Sequence, residues 1–194
     1  MKHWAITGGI AAGKSEICKV YNAMSIPVYN ADLKAKFLID KHDKIINGLV
    51  ENFGDNIYQD GKLNKQKMIQ LVFNNEDTKS IVDSIVHPVV LDDYLNWRNN
   101  FKNCRFTLLE SALVFESGLI KHIDVVGLVT ADISKRVQRL IQRDGITSNQ
   151  ALQRINSQVN YDKYLDIADF IIINNGTEML IPQVLNAIKS FYNG

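Results

Sequence analysis

Cysteine is nearly absent from this chain: its 194 residues include two, Cys18 and Cys104, too few for a disulfide framework and in no spacing that holds zinc. Histidine is almost as scarce. His3, His42, His87 and His122 are scattered without metal-ligand spacing, and read by themselves they suit plain structural roles. No apolar run approaches the roughly 18 residues that a membrane span needs. Neither charge sign is in excess, since 22 basic and 21 acidic side chains leave a net charge of +1. Without a global basic field, nucleic acid and anionic membranes are not expected partners. A glycine-rich motif starts at residue 8, leaving no space ahead of it for a signal peptide, so a soluble, reducing, cytoplasmic setting is the expectation. Internal repeats and low-complexity segments are not evident. Hydrophobic content of 46% is enough to bury the core of one compact domain carrying a small subdomain.

The motif is Gly8-Gly9-Ile10-Ala11-Ala12-Gly13-Lys14-Ser15, directly after the apolar stretch Trp4-Ala5-Ile6. This is a P-loop in strand-loop-helix context. Its glycines let the loop curl until successive backbone N–H groups converge on phosphates. Lys14 adds a point charge near the β- and γ-phosphates, and Ser15 offers a hydroxyl to Mg²⁺. The helix that follows turns its positive end toward the same anion. Nucleoside triphosphate binding is therefore expected, with any metal entering alongside the nucleotide.

Short β-rich runs alternate with helical patterns, the mark of a parallel sheet covered by helices. Five strands are expected: His3–Thr7, Pro27–Asn30, Arg105–Glu110, Val125–Thr130 and Phe170–Asn174. Ligands of such sheets sit outside the carboxyl ends of the strands, which gathers the P-loop, Asn30 to Asp32, the segment after Glu110 and Asn174-Asn175-Gly176 on one rim. More than seventy residues separate the second and third strands, where a crossover needs about a dozen. Helical patterns fill that interval over Leu33–Ile39, Ile45–Phe53, Gln66–Phe73, Lys79–Val86 and Val89–Trp97, with Asp60-Gly61 as a turn. The insertion reads as a helical substrate-binding subdomain, with a stabilising decoration as the alternative. The domain reading is a nucleotide-binding core of residues 1–30 and 105–194 that includes a lid at about 134–160, and a helical subdomain of residues 31–104. A closing helix carries Ile181, Val184, Ile188 and Phe191 at helical spacing, with Pro182 in its first turn.

Several residues suit chemistry at the rim. Asp32 follows the second strand, where a carboxylate can accept a hydroxyl proton or support Mg²⁺; it equally suits an N-cap of the next helix. Arg136, Arg139 and Arg143 recur at steps of three and four on one helical face. Such a face suits either a triphosphate or plain solvent. Glu110 and Glu116 flank an apolar segment that includes Leu113, and either acid can act on Mg²⁺ through water. Glu116 is also a candidate turn cap. Asn174 is a turn residue first and an adenine contact second. Cys18 reads as a small buried residue of the helix after the P-loop.

Taken together these features resemble the dephospho-coenzyme A kinase family over almost the whole chain. The resemblance rests on Thr7-Gly8-Gly9-Ile10, Ala31-Asp32, Asp60-Gly61-Lys62-Leu63, Val72-Phe73, His87-Pro88, Leu113-Val114-Phe115-Glu116, Gln142-Arg143, the segment Arg154 to Gln158, Ala168-Asp169 and Asn174-Asn175-Gly176. It implies an α/β P-loop kinase fold with a doubly wound five-stranded parallel sheet, a helical CoA-binding domain and a lid. The implied reaction is ATP- and Mg²⁺-dependent phosphorylation of the ribose 3′-hydroxyl of dephospho-CoA, the last step of coenzyme A synthesis. Carried over position by position, Asp32 becomes the catalytic base, Arg139 and Arg143 the lid arginines and His87 a substrate-site residue beside Leu113 and Glu116. The nucleotide site would comprise Gly8, Gly9, Ala11, Ala12, Gly13, Lys14, Ser15, Glu16, Arg139, Arg143 and Asn174, in a monomer or weak homo-oligomer.

The chain departs from the family pattern at several of these positions. Ala11 and Ala12 replace Gly-Ser, a change that stiffens the loop and spares its donors so long as Ala11 keeps a negative φ. Glu16 replaces a hydroxyl and would repel a triphosphate. Asn30 replaces an aspartate, Glu110 takes an aspartate position and Ala112 a proline position. A nucleoside or nucleotide monophosphate kinase is the enzymatic alternative, although it usually has a compact segment where this chain has its long insertion. A GTP switch would need an Asn-Lys-x-Asp signal, and Asn64-Lys65-Gln66-Lys67 has the wrong fourth residue.

Overall fold

The computed structural model describes residues 1–72 and 75–192. Phe73, the expected end of the helix starting at Gln66, lies outside the described residues. Along the chain the strands are β1 (Lys2–Thr7), β2 (Val28–Asn30), β3 (Tyr58–Gln59), β4 (Lys62–Leu63), β5 (Phe106–Glu110), β6 (Val125–Thr130) and β7 (Phe170–Ile173). The helices are α1 (Lys14–Ala23), α2 (Ala31–Lys41), α3 (Asp43–Phe53), α4 (Lys65–Val72), α5 (Glu76–Arg98), α6 (Ile133–Asp144), α7 (Ser148–Asn156) and α8 (Leu180–Tyr192). The chain divides into two compact units, one formed by Met1–Tyr29 with the chain from Phe101 onward, the other by Asn30–Asn100.

In the first unit the sheet order is β2-β5-β1-β6-β7, and its five strands begin and end within one residue of their expected bounds. The central ones were legible because they are covered on both faces: every residue of β5 is buried, and so are the first five of β6, whereas edge strand β7 leaves Ile171 and Ile173 exposed. β1 pairs in parallel with β5 on one side and β6 on the other, so the chain reverses its direction of sheet growth beside β1. A doubly wound sheet has its ligand crevice at that switch point, and the loop leaving β1 is the P-loop. The register places Ile6 opposite Glu110, Thr7 opposite Leu128 and Thr130 opposite Ile173, so these strands end on one rim.

Trp4 anchors the core of this unit. Its ring stacks on Phe106 at 4.4 Å and meets Tyr21, Phe170 and Phe191 at 6.4, 5.8 and 5.6 Å between centroids, so one indole ties β1 to α1, β5, β7 and α8. Of the apolar stripe on α8, Val184 is fully buried and Ile188 and Phe191 pack on the core. Ile181, at the same helical spacing, is 59% exposed. At that end α1 and α8 leave an open apolar groove, lined by Val20, Met24, Met179, Ile181 and Leu185.

The second unit is helical with one small hairpin. Asp60 and Gly61, at φ 50° and 71°, form the β3–β4 turn, a conformation that suits a two-residue hairpin. The Tyr58 hydroxyl donates to Ile39 O at 2.7 Å, and Leu63 N donates to Asp40 Oδ1 at 2.9 Å; both bonds pin the hairpin to α2. The two helices expected over Lys79–Val86 and Val89–Trp97 are one helix, α5, with Pro88 inside it. A proline there costs about 3 kcal/mol by removing one N–H and crowding a carbonyl. Burial of Val86, Val89, Val90 and Tyr94 on that helix outweighs this, at roughly 1.5–3 kcal/mol for each large apolar side chain.

Removing the indole in Trp4→Ala is expected to cost about 3–5 kcal/mol of unfolding free energy, the range for a buried aromatic. A denaturant titration checks it, and a loss below about 1 kcal/mol would take Trp4 out of the centre of this core.

Candidate functional site

The P-loop joins the buried end of β1 to α1. Gly13 is the N-cap of α1 in the left-handed region, φ 105°, and a Cβ there would collide with the side-chain amide of Asn174, so only glycine fits. Ile17, Cys18 and Tyr21 turn the buried face of α1 inward. Lys14, the first residue of that helix, is also buried, and its ammonium donates to Gly8 O at 2.8 Å and Gly9 O at 3.3 Å. Ser15 and Glu16 are exposed on the next two positions. The Glu16 carboxylate pairs with Lys19 at 2.8 Å.

Ala11 overturns one expectation. It lies at φ 59°, in the region where an L residue pays about 1–2 kcal/mol. Its half-buried side chain packs beside Ile10 against a small apolar cluster of Leu140, Ala151 and Ile155 from α6 and α7, which supplies part of what holds it there.

Those two helices bring the arginines. Arg136 Nε donates to Ile10 O at 2.9 Å. Arg139 Nη1 donates to Ala11 O and Ala12 O at 3.1 and 3.2 Å, and its Nη2 donates to Asn174 O and Oδ1 at 2.7 and 3.1 Å. Asn174, itself buried, donates through Nδ2 to Ala12 O at 3.0 Å. Burial lowers the Arg136 pKa from the usual guanidinium value, and the nearby Tyr161 and Asp162 oppose that shift. Arg143 does not join them. It makes a two-pronged pair with Asp144, Nε to Oδ1 at 2.7 Å and Nη2 to Oδ2 at 3.0 Å, and Arg154 reaches the same carboxylate at 2.6 Å. The Arg143 hydrogen bond, helped by the charges of Arg143 and Arg154, holds the Asp144 carboxyl below the usual carboxylate range. The basic face therefore has two jobs, with its first two arginines on the P-loop and the third in a surface ion pair.

At the end of β5, Glu110 is buried. Burial first, and then the charge of Glu110, push the Cys18 thiol pKa far up. Cys18 thus senses the acid as well as being a small buried residue. Beyond it Leu113 is 40% exposed. Glu116 accepts from the Tyr164 hydroxyl at 2.7 Å, Tyr161 donates to Ala112 O at 2.6 Å, and the Phe115 and Tyr164 rings stack at 4.0 Å. These tyrosines bind the post-β5 loop to the segment after α7, and nothing in their local sequence marks them. Gln158 is the other residue that sequence reasoning left without a role: its Oε1 accepts from Ile10 N at 2.6 Å. Its only signal was a place at the end of the Arg154 to Gln158 segment.

In the second unit, Asn30 is the N-cap of α2, with Oδ1 accepting from Leu33 N at 2.8 Å. Asp32 lies within the first turn, exposed, so the cap is Asn30 and not Asp32. His87 Nε2 lies 3.5 Å from Asp83 Oδ1, one turn earlier on α5. The chemistry assembled in the first unit suits a polyphosphate: a curled loop at a helix N-terminus, with one lysine and two arginines held against it.

Comparison with known proteins agrees with that chemistry. A family profile described as dephospho-CoA kinase matches residues 3–179. A dephospho-CoA kinase of Bacteroides fragilis is 34% identical over 187 residues, covering 96% of this chain and 91% of the relative. Among solved structures, a dephospho-CoA kinase from Campylobacter jejuni is 26% identical with a TM-score of 0.71, covering 100% of this chain and 99% of its own. A Thermus thermophilus protein at 23% identity has the same fold, with a TM-score of 0.84 and coverage of 100% and 98%.

Two opposed terms set the outcome of Ala11→Gly. Glycine removes a left-handed penalty of about 1–2 kcal/mol and gives up about 0.8 kcal/mol of methyl burial. A net gain of up to about 1 kcal/mol, or roughly 2–4 °C in Tm, is expected. A fall in Tm by calorimetry would show that the methyl contact dominates.

Proposed function

This chain belongs to the dephospho-CoA kinase family, and we propose on that premise how its residues divide the reaction. The reaction is transfer of the γ-phosphoryl group of ATP to the ribose 3′-hydroxyl of dephospho-CoA, giving CoA and ADP at the end of coenzyme A synthesis. The observation that carries the reading is the P-loop itself, Gly8 to Ser15 at the switch point of the sheet with Lys14, Arg136 and Arg139 against it.

Lys14 and the amides of the loop and first helical turn, from Ala11 to Glu16, hold the phosphates. On nucleotide binding the Lys14 ammonium exchanges its carbonyl partners for phosphate oxygens, a charge-assisted bond of greater strength. Arg139 turns its guanidinium to the transferring phosphoryl group, where charge develops, and acts as a lid arginine. Asn174 keeps Arg139 and the loop in register. Asn174 borders the nucleotide from the β7 end, and Arg143 would join it from the lid only by giving up its pair with Asp144. Asp32 takes the proton as the 3′-oxygen attacks phosphorus and ADP leaves, for which its exposed carboxylate, free of the capping task, is suited. Residues 31–104 form the CoA-substrate subdomain, with His87 contributing to acceptor binding and Leu113 and Glu116 contributing from the β5 end.

Mg²⁺ fits this donor set. Among the described residues no three or more His, Cys, Asp or Glu gather to hold a metal, and Mg²⁺ is commonly held by one or two protein oxygens, substrate phosphates and water. The Ser15 hydroxyl at the start of α1 would be its protein ligand, and the ion, when bound, neutralises charge on the β- and γ-phosphates. Among the described residues no helix is long and apolar enough to cross a membrane. A cytoplasmic enzyme, monomeric or weakly self-associating, completes the reading.

Incubation with ATP, Mg²⁺ and dephospho-CoA is expected to give CoA carrying one added phosphate by mass spectrometry; turnover of nucleoside monophosphates without conversion of dephospho-CoA would overturn the assignment. Asp32→Asn is expected to lower kcat by about 10²–10⁴ with ATP affinity nearly unchanged, and near-normal turnover would remove Asp32 as the base. Arg139→Ala is expected to lose about 10³–10⁵ in kcat, and Arg139→Lys to recover part of it, since an ammonium lacks the planar fork. An unchanged kcat in steady-state kinetics would take Arg139 out of the reaction.

A further inference from the structure

One residue of the P-loop, Ile10, is held at every polar atom. Its N–H donates to Gln158 Oε1 at 2.6 Å, its C=O accepts from Arg136 Nε at 2.9 Å, and its side chain packs into the Leu140, Ala151 and Ile155 cluster. All of these partners come from residues 136–158, and the next residue, Ala11, is the strained one at φ 59°. A residue persists in a sparsely populated conformation only where its surroundings over-determine it. The cheapest relief for Ala11 is rotation of the Ile10–Ala11 peptide plane, which Arg136 holds at Ile10 O. It would carry φ back to negative values and swing the loop amides off the phosphate position, and it needs the dihedrals of Ile10 to follow, which the Gln158 bond to Ile10 N opposes.

We propose that Gln158 is a positioning residue for nucleotide binding: its carboxamide fixes the Gly9–Ile10 peptide so that strained Ala11 keeps the loop amides in their phosphate-binding arrangement. The inference rests on the nucleotide reading of the P-loop given above. Gln158 need not touch the nucleotide. Arg136 clamps the far side of the same residue through Ile10 O, so the two side chains grip consecutive peptide planes, and Gln158 is the one that does so without charge. The dependence belongs to this chain's alanine, because a glycine at position 11 would adopt the same φ without penalty and would need less holding.

Gln158→Met keeps the length and apolar stem of the side chain and removes the acceptor. Titration of ATP and ADP into wild type, Gln158→Met, Ala11→Gly and the double variant, with Tm recorded for each, tests the proposal. Gln158→Met is expected to weaken both nucleotides about tenfold, the effect of one hydrogen bond holding a loop conformation, with KM for dephospho-CoA unchanged. In the Ala11→Gly background the same substitution is expected to cost about twofold or less, a coupling that a merely structural glutamine would not produce. Gln158→Ala carries the same expectation should the methionine variant fold poorly. Wild-type nucleotide affinity in Gln158→Met, or an equal loss in both backgrounds, overturns this inference while leaving the nucleotide site intact. A wild-type protein that binds neither nucleotide overturns both readings.

Discussion

A loop that curls until its amides converge on a polyphosphate turns carbonyls the other way, and those carbonyls still need donors. In this protein five consecutive carbonyls are met by side chains: Gly8 and Gly9 by Lys14, Ile10 by Arg136, Ala11 by Arg139, and Ala12 by Arg139 and Asn174. Three of the four donors are cations, so the groups that satisfy the outer side of the loop are also the positive charges a triphosphate wants. Backbone satisfaction and anion recognition are served by the same side chains.

Other features of the first unit follow from that constraint. Arginines can reach loop carbonyls only if α6 is held close, and the apolar cluster shared by Ile10, Ala11, Leu140, Ala151 and Ile155 holds it. Asn174 must approach the loop tightly enough to bond both Ala12 O and Arg139, which is why residue 13 has no room for a Cβ. The left-handed Ala11 is tolerated because the peptides on its two sides are bonded from outside through Ile10 O and Ala11 O, and the Gly9–Ile10 peptide before them through Ile10 N. The rim beyond β5 is braced separately, by Tyr161 and Tyr164 on Ala112 and Glu116.

The central strands were legible from the sequence because strands buried on both faces are short continuous apolar runs, and the P-loop because its glycines, lysine and serine sit at fixed spacing after one of them. The helical pattern falls into two pieces, Lys79–Val86 and Val89–Trp97, around the Pro88 that α5 contains, since propensity speaks for the local backbone and the burial along α5 is a tertiary effect. Asn30 and Asp32 are both good caps two positions apart, and only the bond from Leu33 N separates them. Periodicity put Arg136, Arg139 and Arg143 on one face but carries nothing about reach, so the Asp144 pair that takes Arg143 away was invisible. Gln158 and the two tyrosines act across long sequence distances on backbone atoms, which leaves no local pattern to read. The positive φ of Ala11 runs against the residue's own preference, and it was the neighbours that imposed it.

If the loop carbonyls bind these cations before any nucleotide arrives, the guanidinium groups of Arg136 and Arg139 are immobilised in the free protein. Nitrogen-15 spectra of the arginine side chains in nucleotide-free protein measure this through rotation about the Nε–Cζ bond. Slow rotation is expected, with resolved Nη signals for Arg139, and a marked change when ATP draws that group to phosphate. Averaged signals for Arg139 in the free protein, unaltered by ATP, would contradict it.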